Sequence, residues 1–208
     1  MKKLVVLLLA SLVATSAFAV IDPDPNSIGI YFDVTADVNC SDQATSVPFM
    51  AYLILTNTTA PIVSAYEVGY LNVGPGPGQL FRLASNIANG AMTGLDVGDN
   101  TDPMMGDHIV GLSSPIPGDP ATVLHSWNYM LLAAVGMDMY ISAASQSSLE
   151  GPFPVILNAD GNILFQAFHS TGVPPSDGDP GMPVATVNGD CVVGTEDVSF
   201  GSVKSLFR

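Results

Sequence analysis

From residue 28 to residue 169 the chain is a succession of short apolar runs, each closed by a cluster of Gly, Pro, Asn or Asp. Residues 28–34 and Pro48–Thr56 (PFMAYLILT) are nearly continuous apolar stretches of strand length, the second stopped by the turn residues Asn57, Thr58 and Thr59. Residues 63–70 alternate instead, which puts Tyr66, Val68 and Tyr70 on one face. Gly74-Pro75-Gly76-Pro77-Gly78 is a loop. Residues 80–83 and 91–92 read as short strands, although 81–87 also accommodates a helical turn. Residues 108–112 form a strand after an acidic, irregular stretch from Asp96 to Asp107, and the turn 115–118 ends it.

The segment 122–135 (TVLHSWNYMLLAAV) fits two periods. Leu124, Trp127, Leu131 and Ala134 share a helix face, but Val, Trp and Tyr favour a strand and every neighbour is strand-like, so it is read as a strand. Strands at 139–143 and 155–157 follow, and the turn 158–162 joins the latter to a strand at 163–169 as a hairpin. Eight or nine short strands at regular spacing predict an all-β domain, an antiparallel immunoglobulin-like β-sandwich over residues 20–171; a closed barrel satisfies the same pattern.

The ends of the chain read differently. Residues 1–19 have a basic start (Lys2, Lys3), an apolar run from Leu4 to Val13, and Ala17-Phe18-Ala19 as a small-x-small close, which is the layout of a cleaved signal peptide and predicts a secreted or periplasmic protein. The apolar run is shorter than the ~20 residues a membrane-spanning helix needs, so no membrane insertion is expected after cleavage. Residues 172–184 are a Pro/Gly/Asp-rich linker, and 185–208 a tail with a short helix from Asp197 carrying Phe200, Val203, Leu206 and Phe207.

Export changes the meaning of the two cysteines. Cys40 and Cys191 are the only pair, and outside the reducing cytosol they are expected to form one disulfide. It would close a loop of about 150 residues, for which chain entropy predicts roughly 4–5 kcal/mol. Without Lys2 and Lys3 the chain keeps Arg82, Lys204 and Arg208 against 19 acidic residues, a net charge of −16. That sign excludes a nucleic-acid footprint and disfavours anionic membranes. It leaves calcium, cationic partners and neutral ligands such as sugars.

Asp96, Asp99, Asp102 and Asp107 stand close together in sequence and are the candidate calcium ligands, since hard cations take several oxygens from such a loop. His108, His125 and His169 would form a zinc triad only if the fold converged them, and as sheet residues they are expected half-exposed. Met104, Met105, Met137 and Met139 are soft ligands for copper but read as core filler. There is no GxSxG elbow, and the adjacent His125 and Ser126 point to opposite faces of a strand, so no catalytic residues and no enzyme are expected. Trp127, in the most apolar strand, belongs to the core. Tyr31, Tyr66, Tyr70 and Tyr140 are the aromatics available to a sugar site if exposed.

The runs 48–57, 65–70 (Ala-Tyr-Glu-Val-Gly-Tyr) and 123–132 resemble the central strands of cohesin-like and carbohydrate-binding bacterial β-sandwiches. The layout also resembles a group of uncharacterised secreted bacterial proteins, through Gly-Ile-Tyr-Phe-Asp at 29–33, Ile-Val-Gly-Leu at 109–112 and Gly-Ser-Val-Lys-Ser-Leu-Phe-Arg at 201–208. In the tail, Asn188, Asp190 and Asp197 resemble the third, fifth and twelfth positions of a dockerin calcium loop, but Thr186 replaces its first carboxylate and Cys191 its turn glycine. The resulting expectation is a secreted, non-catalytic structural or protein-interaction module acting on an extracellular protein or glycan. A carbohydrate- or calcium-linked binding module is the second reading.

Overall fold

Alternation and β-branched content place almost every apolar run in a strand. The computed structural model describes residues 24–90, 92–170 and 178–190, with the side chains of Asn89 and His169 left aside. The expected signal peptide, residues 172–177 of the expected linker, Cys191 and the expected helix from Asp197 lie outside the described residues. Thirteen strands run in chain order: β1 (Ser27–Tyr31), β2 (Cys40–Ser41), β3 (Pro48–Thr56), β4 (Ile62–Val73), β5 (Leu80–Ile87), β6 (Gly94–Asp96), β7 (Met105–Pro117), β8 (Ala121–Leu131), β9 (Met137–Ser142), β10 (Val155–Asn158), β11 (Ile163–Gln166), β12 (Phe168–His169) and β13 (Ala185–Val187).

They form two sheets. The first has the order β12-β1-β3-β8-β5. In the second, β4 is central: β7 and then β6 lie along one edge, and the other edge is divided between β10 at residues 63–67 and β9 at 69–73. β11 extends this sheet beyond β10, and β13 with β2 extends it beyond β9. Two open sheets rather than one closed ring make the domain a sandwich, not a barrel. Between them lie Leu53, Leu55, Val68, Leu124, Trp127, Leu131 and Ile156, all at or near zero exposure.

Several boundaries differ from the sequence reading for local reasons. Residues 81–87 continue β5, and a single 3-10 turn at Ala88–Gly90 follows. Residues 115–117 belong to β7 and are not a turn: Ile116 and Pro117 pair with Val63 and Ile62 across a register break, where a missing proline N–H costs little. The run 163–169 breaks at Ala167. β11 pairs with β10 in one sheet, whereas Phe168 and His169 lie parallel to Ser27 and Ile28 in the other. The chain therefore changes sheets at that corner. The segment read as a separate tail begins as β13, hydrogen-bonded to β9 and β2.

A β-bulge in β8 decides what faces the core near its middle. Leu53 pairs with His125 and Ile54 with Val123, so Leu124 has no partner and both Leu124 and His125 turn inward. Beyond it Trp127, Tyr129 and Leu131 follow at alternate positions. On the outer side of the five-stranded sheet, Tyr31, Ala36 and Ile54 make a second, small apolar cluster under the chain that follows β1.

Candidate functional site

Polar side chains, not only apolar ones, link the two sheets at the β5–β6 end of the sandwich. His108 of β7 is 0% exposed and His125 of β8 is 2% exposed, and their rings lie 3.9 Å apart between centroids. Tyr70 stacks on His108 at 5.4 Å, and Trp127 packs against both histidines. The expected half-exposed sheet histidines are thus core residues, because the parity of β7 and the bulge of β8 both aim them inward. The side chain of His169 is outside the description.

Each ring nitrogen has a partner. The Trp127 indole N–H donates to Nε2 of His108 at 3.1 Å. An indole can only donate, so Nε2 accepts and the His108 proton sits on Nδ1, which donates to Asp96 Oδ2 at 2.6 Å. His125 bonds Tyr66 Oη through Nδ1 at 2.8 Å and Ser85 Oγ through Nε2 at 2.7 Å. Burial holds the His125 pKa well below its ordinary value, with the His108 ring and the Arg82 guanidinium adding to the effect. Burial likewise pushes the Tyr66 phenol upward. For Asp96 burial pulls upward, but the hydrogen bonds from His108 and from the backbone of Gly98 and Ile109 outweigh it and leave the pKa below the usual carboxylate value. An exposed serine on a buried imidazole has the outline of a nucleophile and base. A ring this reluctant to take a proton, backed by a phenol rather than a carboxylate, is poorly suited to act as a base.

The four aspartates do not converge. Asp96 points inward to His108, while Asp107, across from Gly69, accepts from the backbone and hydroxyl of Ser145 and from the backbone N–H of Asp99. Asp99 and Asp102 lie in the loop between, where Asp102 accepts from the Met104 N–H. Among the described residues no three His, Cys, Asp or Glu side chains are placed to hold an ion. This loop needs glycine: a Cβ on Gly106 would lie 2.3 Å from the Asp99 carbonyl oxygen and 2.8 Å from Tyr70 Oη.

Outside the network the loop borders a cleft of about 650 Å³ lined by Pro75, Pro77, Phe81, Arg82, Asp102 and Met104, among others. Arg82 donates to Tyr70 Oη at 2.6 Å and lies over its ring at 5.6 Å. Tyr70 passes the contact on, donating to the Asp102 carbonyl at 2.7 Å. Nothing in the sequence singled out Arg82 beyond its rarity.

The remaining candidates are dispersed. Tyr31, Tyr66 and Tyr70 are buried and only Tyr140 is partly open, so no tyrosine platform exists. Asn188 spends its side chain on the backbone of Gln43, accepting from its N–H at 2.6 Å and donating to its carbonyl at 3.1 Å, and so acts as a structural clasp. Cys40 lies in β2 opposite Thr186 of β13, five residues before Cys191.

The outer face of the eight-stranded sheet carries large apolar side chains in the open. Leu95 is 69% exposed and Val97 64%, beside Gly111 and Ile109, and on the other side of Asp107 Met105 is 56% exposed, with Leu71, its partner, and Val73 also open. Sequence alternation gives these residues no mark that separates them from core positions. Across the middle of this face runs the β9–β10 connection, held by Ser145 on Asp107 and by Ser148, whose N–H and hydroxyl both donate to Glu67.

Comparison with known proteins gives structural likeness only. A type II cohesin domain from the cellulosome of Acetivibrio cellulolyticus matches with a TM-score of 0.51 at 13% identity, over 80% of this chain and 97% of that one. The sixth cohesin of the same organism's scaffoldin B, solved in complex with a Cel5 dockerin, gives 0.49 at 8% identity over 78% and 96%. A non-cellulosomal cohesin from Archaeoglobus fulgidus gives 0.41 at 11% over 69% and 85%. No protein-family model matches the chain, and no curated protein matches it. The fold is a cohesin-like β-sandwich.

Proposed function

We propose that this chain is an exported, non-catalytic protein-interaction module that docks a partner on the outer face of its eight-stranded sheet, beside β6 and β7. The observation that carries the reading is the number of large apolar side chains left open on this one face, Leu95, Val97, Met105, Leu71 and Val73, in a chain of net charge −14. Apolar side chains gathered on a rigid face mark an interaction site, since leaving them in water forgoes about 25 cal/mol for each Å² that a partner would cover. The fold is compatible: a neighbour of this fold was solved with a dockerin bound. Export is supported by the residues 1–19 pattern, and the acidity favours a partner with a basic rim around an apolar centre. The burial of both histidines, and the reluctance of His125 to take a proton, support a non-catalytic role.

The test immobilises the native chain and a Leu95→Asp, Val97→Asp variant of equal melting temperature and exposes both to the extracellular fraction of the source culture. A discrete protein retained by the native chain and released by the variant is the expected result. Equal retention by both overturns the assignment of this face, and retention by neither overturns the interaction reading.

A further inference from the structure

Arg82 is the one Lys or Arg among the described residues, in a chain with 19 acidic side chains. Such a cation would ordinarily sit against a carboxylate. Here, among the described residues, the single ion pair is between His108 and Asp96, and Arg82 is held instead by the hydroxyl and ring of Tyr70. A guanidinium has five N–H donors in a rigid fork. The Tyr70 phenol takes one and the buried Tyr129 phenol lies within hydrogen-bonding reach of another, and the group lines the wall of the 650 Å³ cleft, within the size range of small-molecule sites. The same cleft is lined by the apolar Phe81, Pro75 and Pro77 and by Asp102.

We propose that this cleft binds a sugar acid, with the ligand carboxylate on Arg82, ring hydroxyls on Asp102, and the apolar face of the ring against Phe81 and the prolines. The pairing of opposite charges in one cleft selects the class. The fork matches a planar carboxylate in two parallel hydrogen bonds. Asp102 repels a second negative charge and accepts hydroxyl donors, which favours a singly charged polyol over a phosphate or sulfate. The prolines and Tyr70 fix the site in advance, since the arginine is already oriented by a hydroxyl that cannot turn away without losing its own bond to the Asp102 carbonyl. This site is distinct from the docking face, and its failure leaves that reading untouched.

The experiment follows the side-chain Nε–H resonances of the full chain, which has two arginines, Arg82 and Arg208. Arg82→Lys assigns the peak. D-galacturonate and its trimer are expected to move the Arg82 resonance saturably, and neutral galactose and acetate to bind at least about tenfold more weakly. Arg82→Lys, which keeps the charge, loses the fork and no longer carries the resonance, is expected to weaken the uronate by roughly tenfold in isothermal titration calorimetry run beside the native chain. Asp102→Asn, away from the Tyr70 contact made by the backbone, is expected to bring uronate affinity towards that of acetate. Equal binding of galactose, equal binding of acetate, unaltered binding in both variants, or no movement at all each overturns the proposal.

Discussion

A single donor, the indole N–H of Trp127, determines where the proton of His108 resides, and through it the orientation of Asp96. Trp127→Phe keeps an aromatic ring and removes the donor, leaving a buried Nε2 acceptor unpaired. The expected loss is about 1–3 kcal/mol beyond any packing change, read as a melting temperature lower by roughly 2–4 °C per kcal/mol. The second histidine sets the acid limit. His125 is kept neutral in the folded chain but protonates near 6.5 when unfolded, so the unfolded state binds the extra proton. Stability is therefore complete above pH 6.5 and declines as pH falls below it, and Asp96 adds a further decline once the pH drops through its lowered value. Thermal melts from pH 7.5 to pH 5 check this, and His125→Gln should flatten the slope. Neither histidine was legible as a core residue. Their inward aim depends on a bulge at Leu124 and on the pairing of β7, and neither has a signature in composition or spacing.

At the scale of elements, the strands read from sequence are those whose pattern is self-sufficient. β3 and β8 are long and apolar, β4 alternates, and the β10–β11 hairpin is marked by its Asn-Ala-Asp-Gly-Asn turn. β13, of three residues, exists only because β9 and β2 offer open edges, and no local signal predicts it, while Phe168 and His169 were read as strand but not as a separate one against β1. The loop between β6 and β7 depends on the fold in another way. Its aspartates looked like a ligand set, but the parity of β7 sends Asp107 outward and His108 inward, and the outermost carboxylates are claimed from opposite sides. Calcium at millimolar concentration should accordingly leave the melting temperature where EDTA leaves it; a rise of several degrees would show a site that the loop assembles around the ion. Packing against β7 is also what Gly106 permits. Gly106→Ala forces a Cβ into the Asp99 carbonyl and should cost about 1–3 kcal/mol, measured by chemical denaturation.

Across the whole molecule, a cohesin-like sandwich is closed at one side by two very short strands, β2 and β13, with Cys40 in the first. We propose that Cys40 and Cys191 are bonded, supported by the register that lays Cys40 beside Thr186. Loop closure over about 150 residues then implies roughly 4–5 kcal/mol, or a fall of roughly 10–15 °C in melting temperature under reductant. An unchanged melt would remove the bond. Fold class was readable at this scale because many weak strand signals agree; the docking face and the cleft were not, since both depend on which residues the sheets leave uncovered.

The scarcity of cations has one more consequence. Between residues 24 and 190 trypsin has a single bond to cut, Arg82–Leu83, in the middle of β5, an edge strand paired with β8 on both sides of a bulge at Leu83. A protease cannot take that bond while the strand is in place. Cleavage of the native chain therefore reports the detachment of β5 alone, and its rate against denaturant separates that local opening from global unfolding. The fold carries its own proteolytic gauge at the strand that forms one wall of the cleft.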